Sequence, residues 1–226
     1  HVPCKTYPII QMASPEALIS IDESDILFTG VPDLSRYTAV AAGPGLNCRT
    51  NTGKGLEKLL KEVHVPLVLD ADALNILAAK PGLMDLLPEK TILTPHPKEF
   101  DRLFGVSENA FERHQKQVEV SETRKLIIVL KGAFTMISTP GGITHINTTG
   151  NPGMATGGSG DVLTGMILAL LAQGYNQKEA ACLGVYMHGL SADLAMEDQS
   201  QESLIPGDII DHIGKAFKFT AANNKN

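Results

Sequence analysis

Cysteine is nearly absent from this sequence. Cys4, Cys48 and Cys182 are spread through 226 residues with no CxxC pair. An odd number at wide spacing excludes a disulfide framework and a cysteine-based zinc site, and fits reduced thiols in a cytoplasmic protein. A basic tract is also missing. The formal net charge is -6, the isoelectric point is near 5.6, and lysine and arginine nowhere gather into a patch. Nucleic acid and anionic membrane surfaces are therefore not expected partners. An anionic small molecule would have to be held by local groups against a mildly repulsive overall field. No apolar run reaches the roughly 18 residues of a membrane-spanning helix, and no signal-peptide pattern is present. The first residue is His1 rather than methionine, and HVP reads as the end of a strand. The expectation is a chain that begins part-way into a domain.

Apolar residues make up 43% of the sequence, enough for one sizeable α/β domain with a buried core. Short apolar strands are expected at 38–43, 66–70, 91–94 and 126–132. Helical spacing is expected at 55–63, from Pro97 to a cap at Gly105, and in a polar helix over 107–123. Strands alternating with helices predict a mostly parallel central sheet with helices on both faces. The pattern changes near residue 133. Two apolar segments flank Pro140, Gly141 and Gly142 and predict an antiparallel hairpin within 133–148. Helices follow at 161–173, 177–196 and 207 to about 220. A single domain is expected over 1–220, with a frayed tail at 221–226.

The densest chemical signal is GNPGMATGGSGDVLTGMILALLAQG, residues 150–174. Val162, Leu163, Met166, Ile167, Leu170 and Leu171 fall on one helical face, so the glycines form a loop that becomes a helix N-terminus. Unpaired amides and the positive dipole end gather there and make an anion site. No GK[ST] follows, and the last glycine of GxGxxG is missing, so neither common phosphate-loop motif applies. Asp161 sits in the first turn. First-turn aspartates commonly only stabilise a helix, by about 0.3–1 kcal/mol. Beside a phosphate site, however, a carboxylate can take the proton of an attacking hydroxyl.

The segment NPGMATGGSGDVLTGMI resembles the glycine-rich signature of the NAD(P)H-hydrate dehydratases, a branch of the ribokinase-like superfamily. AAGPGL, VLDADALN, ILTPHPKEF and LKGAFT precede it in the family's order. The resemblance runs from Val40 to about Ala195. It implies a ribokinase-like fold and an enzyme that uses ADP (or ATP), with Mg2+, to remove water from NADHX or NADPHX; the bacterial ADP-dependent type acting on the S epimer is expected. It makes Asp161 the catalytic base and a hydrate contact. It gives Gly43, Gly45 and His96 to the hydrate. It gives Lys131, Gly132, Ala133, Phe134 and Thr135, together with Gly158, Ser159 and Gly160, to the nucleotide. It also implies a homo-oligomer, up to a tetramer, and an epimerase fused to or working with the chain. The family carries a glycine-rich segment and two opening strands upstream of the region matched here.

The residues themselves leave other roles open. Asp70, Asp72 and Asn75 stand at a strand end, where a carboxylate reaches magnesium through water or Asp72 simply caps a helix. No metal ligand is assigned. Lys131 can meet phosphate or end its strand in solvent. His188, within an apolar helix, reads as a core or interface residue. Two alternatives compete with the dehydratase: a kinase of the same superfamily acting on a vitamin-precursor alcohol, and a non-catalytic nucleotide-binding module.

Overall fold

Strands of two to four residues, nearly all apolar, form the sheet. In the computed structural model, which describes residues 1–223, the first two strands stand apart. β1 (Val2–Pro3) pairs in parallel with β2 (Ile21–Asp22). Helix α1 (Tyr7–Ala13) lies between them in the chain. The buried Asp22 side chain organises the loop that follows, accepting from Ser24 N, Thr29 N, Thr29 Oγ1 and Gly30 N.

The main sheet has six strands in sequence order. β3 (Val40–Ala42), β4 (Leu67–Leu69), β5 (Ile92–Leu93) and β6 (Ile127–Leu130) run parallel. β7 (Met136–Ser138) and β8 (Thr144–Ile146) close it as an antiparallel hairpin, as the sequence predicts. Side chains alternate between two cores, as a period of two requires. Leu67, Leu69, Leu93, Ile128 and Leu130 face one core; Val68, Ile92, Ile127, Val129 and Ile137 face the other.

Helices cover both faces. On the first lie α2 (Thr50–Glu62), α3 (Ala71–Ala79), α4 (Pro97–Phe104) and α5 (Ala110–Thr123), contributing Leu56, Leu74, Phe100 and Val120 among others. On the second lie α6 (Ser159–Ala172) and α7 (Gln177–Ala195). The last helix, α8 (Pro206–Asn223), packs on α6 and α7 rather than on the sheet.

Helix boundaries differ from the sequence expectation for local reasons. α2 starts at Thr50, because Gly53 and Gly55 serve packing rather than ending a helix; a Cβ at Gly55 would press the Phe28 ring at 3.0 Å. α5 starts at Ala110, capped by the Asn109 side chain accepting from Glu112 N. α8 continues to Asn223, so the segment expected to fray begins inside a helix; residues 224–226 lie outside the described residues. Among the described residues no helix is long and apolar enough to cross a membrane.

Candidate active site

Parallel strands that share a direction end together, and ligands of open α/β sheets bind beyond their carboxyl ends. Here those ends deliver Gly43 after β3, Asp70 after β4, His96 beyond β5 and Lys131 after β6.

The β3 end is shaped by backbone contact. Gly43 adopts φ +143, and a Cβ there would fall inside van der Waals contact of the Asp70 carbonyl oxygen. Gly45 has φ +68 with open space where its Cβ would be. The next turn is held by Asp72, whose Oδ2 accepts from Asn47 N at 2.7 Å while Asn75 Nδ2 donates to its Oδ1. Asp72 therefore ties the loop after β3 to the first turn of α3. Arg102 of α4 donates to Asn75 Oδ1.

At the β5 end, His96 is the N-cap of α4. Its Nδ1 accepts from Lys98 N and Glu99 N, and Glu99 Oε2 returns the favour to His96 N at 2.9 Å. This is a reciprocal capping box with an imidazole in the usual hydroxyl's place. The ring is exposed, with Nε2 3.5 Å from Glu99 Oε1.

The β4 and β6 ends meet. Asp70 is 1% exposed; its Oδ1 accepts from Lys131 Nζ at 2.8 Å and its Oδ2 from Thr164 Oγ1 at 2.8 Å. Lys131, with its side chain 21% exposed, is thus an ion-paired residue and not a solvated strand end. Beyond it Gly132, Ala133 and Phe134 make an exposed turn. Thr135 Oγ1 closes that turn, donating to Gly132 O at 3.2 Å.

The glycine stretch docks above this pair. Gly158 takes the left-handed conformation, φ 91, as N-cap of α6, and Ser159 and Gly160 begin the helix. The first turn leaves amides without helical acceptors. A Cβ on Gly160 would meet Lys131 Nζ at 3.2 Å and Asp70 Oδ2 at 3.8 Å, so the ammonium lies against the start of α6. Asp161 follows, exposed, with its pKa raised above the usual aspartate range. Partial desolvation is the main cause and the Asp70 charge the second, while Lys131 works the other way. Asp161 also borders a cleft of about 560 Å³ whose other lining side chains, among them Met166, Met187, Ile210 and Phe217, are uncharged.

The structure thus brings Lys131, Gly158, Ser159, Gly160 and Asp161 into one place, beside the turn from Gly132 to Thr135. Gly43 joins them through Asp70. His96 is one residue beyond Pro95, whose carbonyl accepts from Lys131 N at 2.9 Å. Two contributors, Thr164 and Asp193, are not read from the sequence, and a third, His188, is read there only as a core or interface residue. Thr164, one turn beyond Gly160, is the polar residue on a buried helical face. Asp193 of α7 holds the loop, accepting from Gly150 N and Asn151 Nδ2. His188 is buried in α7, as expected, but its Nε2 lies 3.4 Å from Ser159 Oγ, at the loop itself.

A ribokinase-like α/β domain with a glycine-rich helix start and an adjacent acid is the class that this fold and site define. Comparisons narrow it. A family model described as NAD(P)H-hydrate dehydratase matches residues 2–215. The bifunctional NAD(P)H-hydrate repair enzyme Nnr of Moorella thermoacetica is 39% identical over 211 residues, covering 92% of this chain and 40% of that protein. The ADP-dependent (S)-NAD(P)H-hydrate dehydratase of Bacillus subtilis is 36% identical over 187 residues, covering 80% and 64%. The crystal structure of the ADP/ATP-dependent NAD(P)H-hydrate dehydratase from Bacillus subtilis, co-crystallised with ATP/Mg2+, superposes with a TM-score of 0.79 at 32% identity, covering 96% of this chain and 76% of that one. The chain belongs to the NAD(P)H-hydrate dehydratase family. It spans less than half the length of the Moorella relative.

Two tests follow. Gly43→Ala should cost about 3 kcal/mol or more, because the clash is with backbone and cannot be relieved by a rotamer. Gly45→Ala should cost about 1–2 kcal/mol, for its left-handed φ alone. Urea unfolding of both variants checks the ranking, and equal losses would refute it. The second concerns His188, whose pKa is lowered from 6.5 to about 4, chiefly by burial. The native state then binds fewer protons than the unfolded chain between those values. Stability is unaffected by this group above pH 6.5 and falls as pH drops toward 4, by up to about 3 kcal/mol. His188→Gln should flatten that part of the stability profile; an unchanged slope would exclude His188 as its source.

Proposed function

We propose that this chain is an ADP-dependent NAD(P)H-hydrate dehydratase that returns the S hydrate of NADH or NADPH to the reduced cofactor. The observation that carries the reading is Asp161 directly after the Gly158–Ser159–Gly160 turn, with the Lys131 ammonium against that turn. Amides at the start of α6 cradle the transferring phosphoryl group, Lys131 offsets its charge, and the residues from Lys131 to Thr135 border the nucleotide. The hydrate lies toward Gly43, Gly45 and His96.

Asp161 takes the proton of the hydrate hydroxyl as its oxygen attacks the terminal phosphorus of ADP and AMP leaves. The ring-nitrogen lone pair then expels phosphate by breaking the carbon–oxygen bond. Loss of a proton from the neighbouring carbon restores the ring double bond. The raised pKa of Asp161 suits a base of this kind, and its protonation sets an acid limb above the usual aspartate range. Both Asp70 oxygens are engaged, and among the described residues no three His, Cys, Asp or Glu side chains cluster for a metal. Magnesium fits here as an ion carried on nucleotide phosphates, where it neutralises phosphoryl charge. The reading extends to residues 1–220 as one domain, working in the cytoplasm as a homo-oligomer, alongside or fused to an epimerase.

The deciding assay is incubation with the hydrate and ADP, followed by the absorbance of reduced cofactor. Recovery of NADH or NADPH supports the reading. Phosphorylation of another alcohol would make the protein a kinase, and binding alone a nucleotide module.

Two substitutions test the site. Asp161→Asn should lower kcat by about 10²–10⁴-fold while ADP affinity stays near that of the wild type. A variant with near-normal turnover would remove Asp161 from the mechanism. Gly160→Val should weaken ADP binding by displacing Lys131. The left-handed backbone position is Gly158, so steric displacement and not dihedral strain is the cause. Titration calorimetry showing unchanged affinity would mean that Lys131 does not meet the nucleotide.

A further inference from the structure

Asp70 presents a puzzle that the reaction leaves untouched. It is a carboxylate 1% exposed, placed beside the groups read above as the phosphate cradle; it does not line the cleft, and among the described residues it joins no metal cluster. Its two oxygens are each committed. One holds Lys131 from the end of β6, the other Thr164 from α6, both at 2.8 Å. Lys131 is thereby drawn to within 3.2 Å of where a Gly160 side chain would begin. A lysine on a four-carbon stem is otherwise a flexible point charge. A buried carboxylate that grips it and simultaneously grips the helix bearing the anion-binding amides makes cation and amides a single rigid unit.

We propose that Asp70 is a positioning residue: through Lys131 and Thr164 it locks the lysine ammonium to the first turn of α6 and so sets the place of the transferring phosphoryl group. This rests on the reading of the α6 start as the phosphate cradle and of Asp161 as the base. Asp70 has a second effect through the same geometry. Its negative charge stands near Asp161 and opposes that residue's ionisation, while Lys131 favours it. Among the described residues these are the two charged groups that shift it. α7 presents His188, neutral near pH 7, to Ser159, and α8 presents Ile210, Ile213 and Phe217 to the cleft that Asp161 borders.

Asp70→Asn keeps the shape and removes the charge. Lys131 then loses its ion pair and keeps at most a neutral acceptor, and ADP affinity by titration calorimetry should fall about tenfold or more, the loss expected for a charge-assisted contact. The midpoint of Asp161, followed by carboxylate carbon resonances and assigned with Asp161→Asn, should move down. The acid limb of kcat/KM should move with it. Thr164→Val retains the charge of Asp70 but frees one oxygen; it should weaken ADP binding by less, and Thr164→Ser should restore it. Thermal unfolding identifies which variants are folded, and if Asp70→Asn is not, the Thr164 pair decides. Folded variants with unaltered ADP affinity and an unmoved Asp161 midpoint would overturn the proposal and leave Asp70 a packing residue. Since calorimetry and resonance titration need no turnover, a wild-type protein inactive on the hydrate would sink the dehydratase reading while these shifts still upheld the positioning role.

Discussion

A buried carboxylate must find donors or remain neutral, and in this fold Asp70 finds two from distant parts of the chain. Lys131 lies 61 residues away and Thr164 lies 94 away. The constraint reaches further through the backbone, because Gly43 can pass only where the Asp70 carbonyl leaves room for a hydrogen. One residue therefore fixes the relative heights of the β3, β4 and β6 ends and the start of α6. Breaking either side-chain contact would leave a buried carboxylate oxygen with little solvent to replace the lost donor.

Electrostatics gives that constraint its chemical meaning. The chain carries a formal charge of -6, and on the proposed reading it has to hold an anion. Lys131 is the cation at the site, and Asp70 balances it, so the pair contributes little net attraction at a distance. Attraction must come at short range, from amides at the start of α6 that are aimed once the helix is docked. This places the burden on geometry over charge. It also accounts for the anchoring of the loop on both flanks. Asp193 holds Gly150 and Asn151 before it, and His188 meets Ser159 within it.

Much of this was legible in the sequence. Alternation of short apolar strands with helices gave the parallel sheet, the Pro-Gly-Gly turn gave the hairpin, and the glycine stretch before Asp161 marked the helix start. These are signals of local period and local chemistry, carried by neighbours in the chain. What escaped was long-range pairing. Nothing near Asp70 in the sequence announces Lys131, and Thr164 reads as a tolerated polar residue in an apolar helix. His188 was recognised as buried, but burial alone did not disclose which loop it faces. His96 carries two roles at once, since the ring that caps α4 is also held at the end of β5 by its flanking prolines.

If the start of α6 is the anion site proposed above, the placement of an acid next to it has a physical rationale. A carboxylate beside an incoming phosphate raises the energy of the complex, yet a base must stand within reach of the hydroxyl that attacks that phosphate. Exposure keeps Asp161 partly solvated and limits the repulsion, while partial desolvation and the nearby Asp70 charge make it more basic than an ordinary surface aspartate. Lys131 pulls in the opposite direction and opposes part of that rise. On the proposed reading an arriving phosphoryl group, itself an anion, would raise the Asp161 midpoint further and so strengthen the base as it is required, with the buried Asp70 keeping the cation in register.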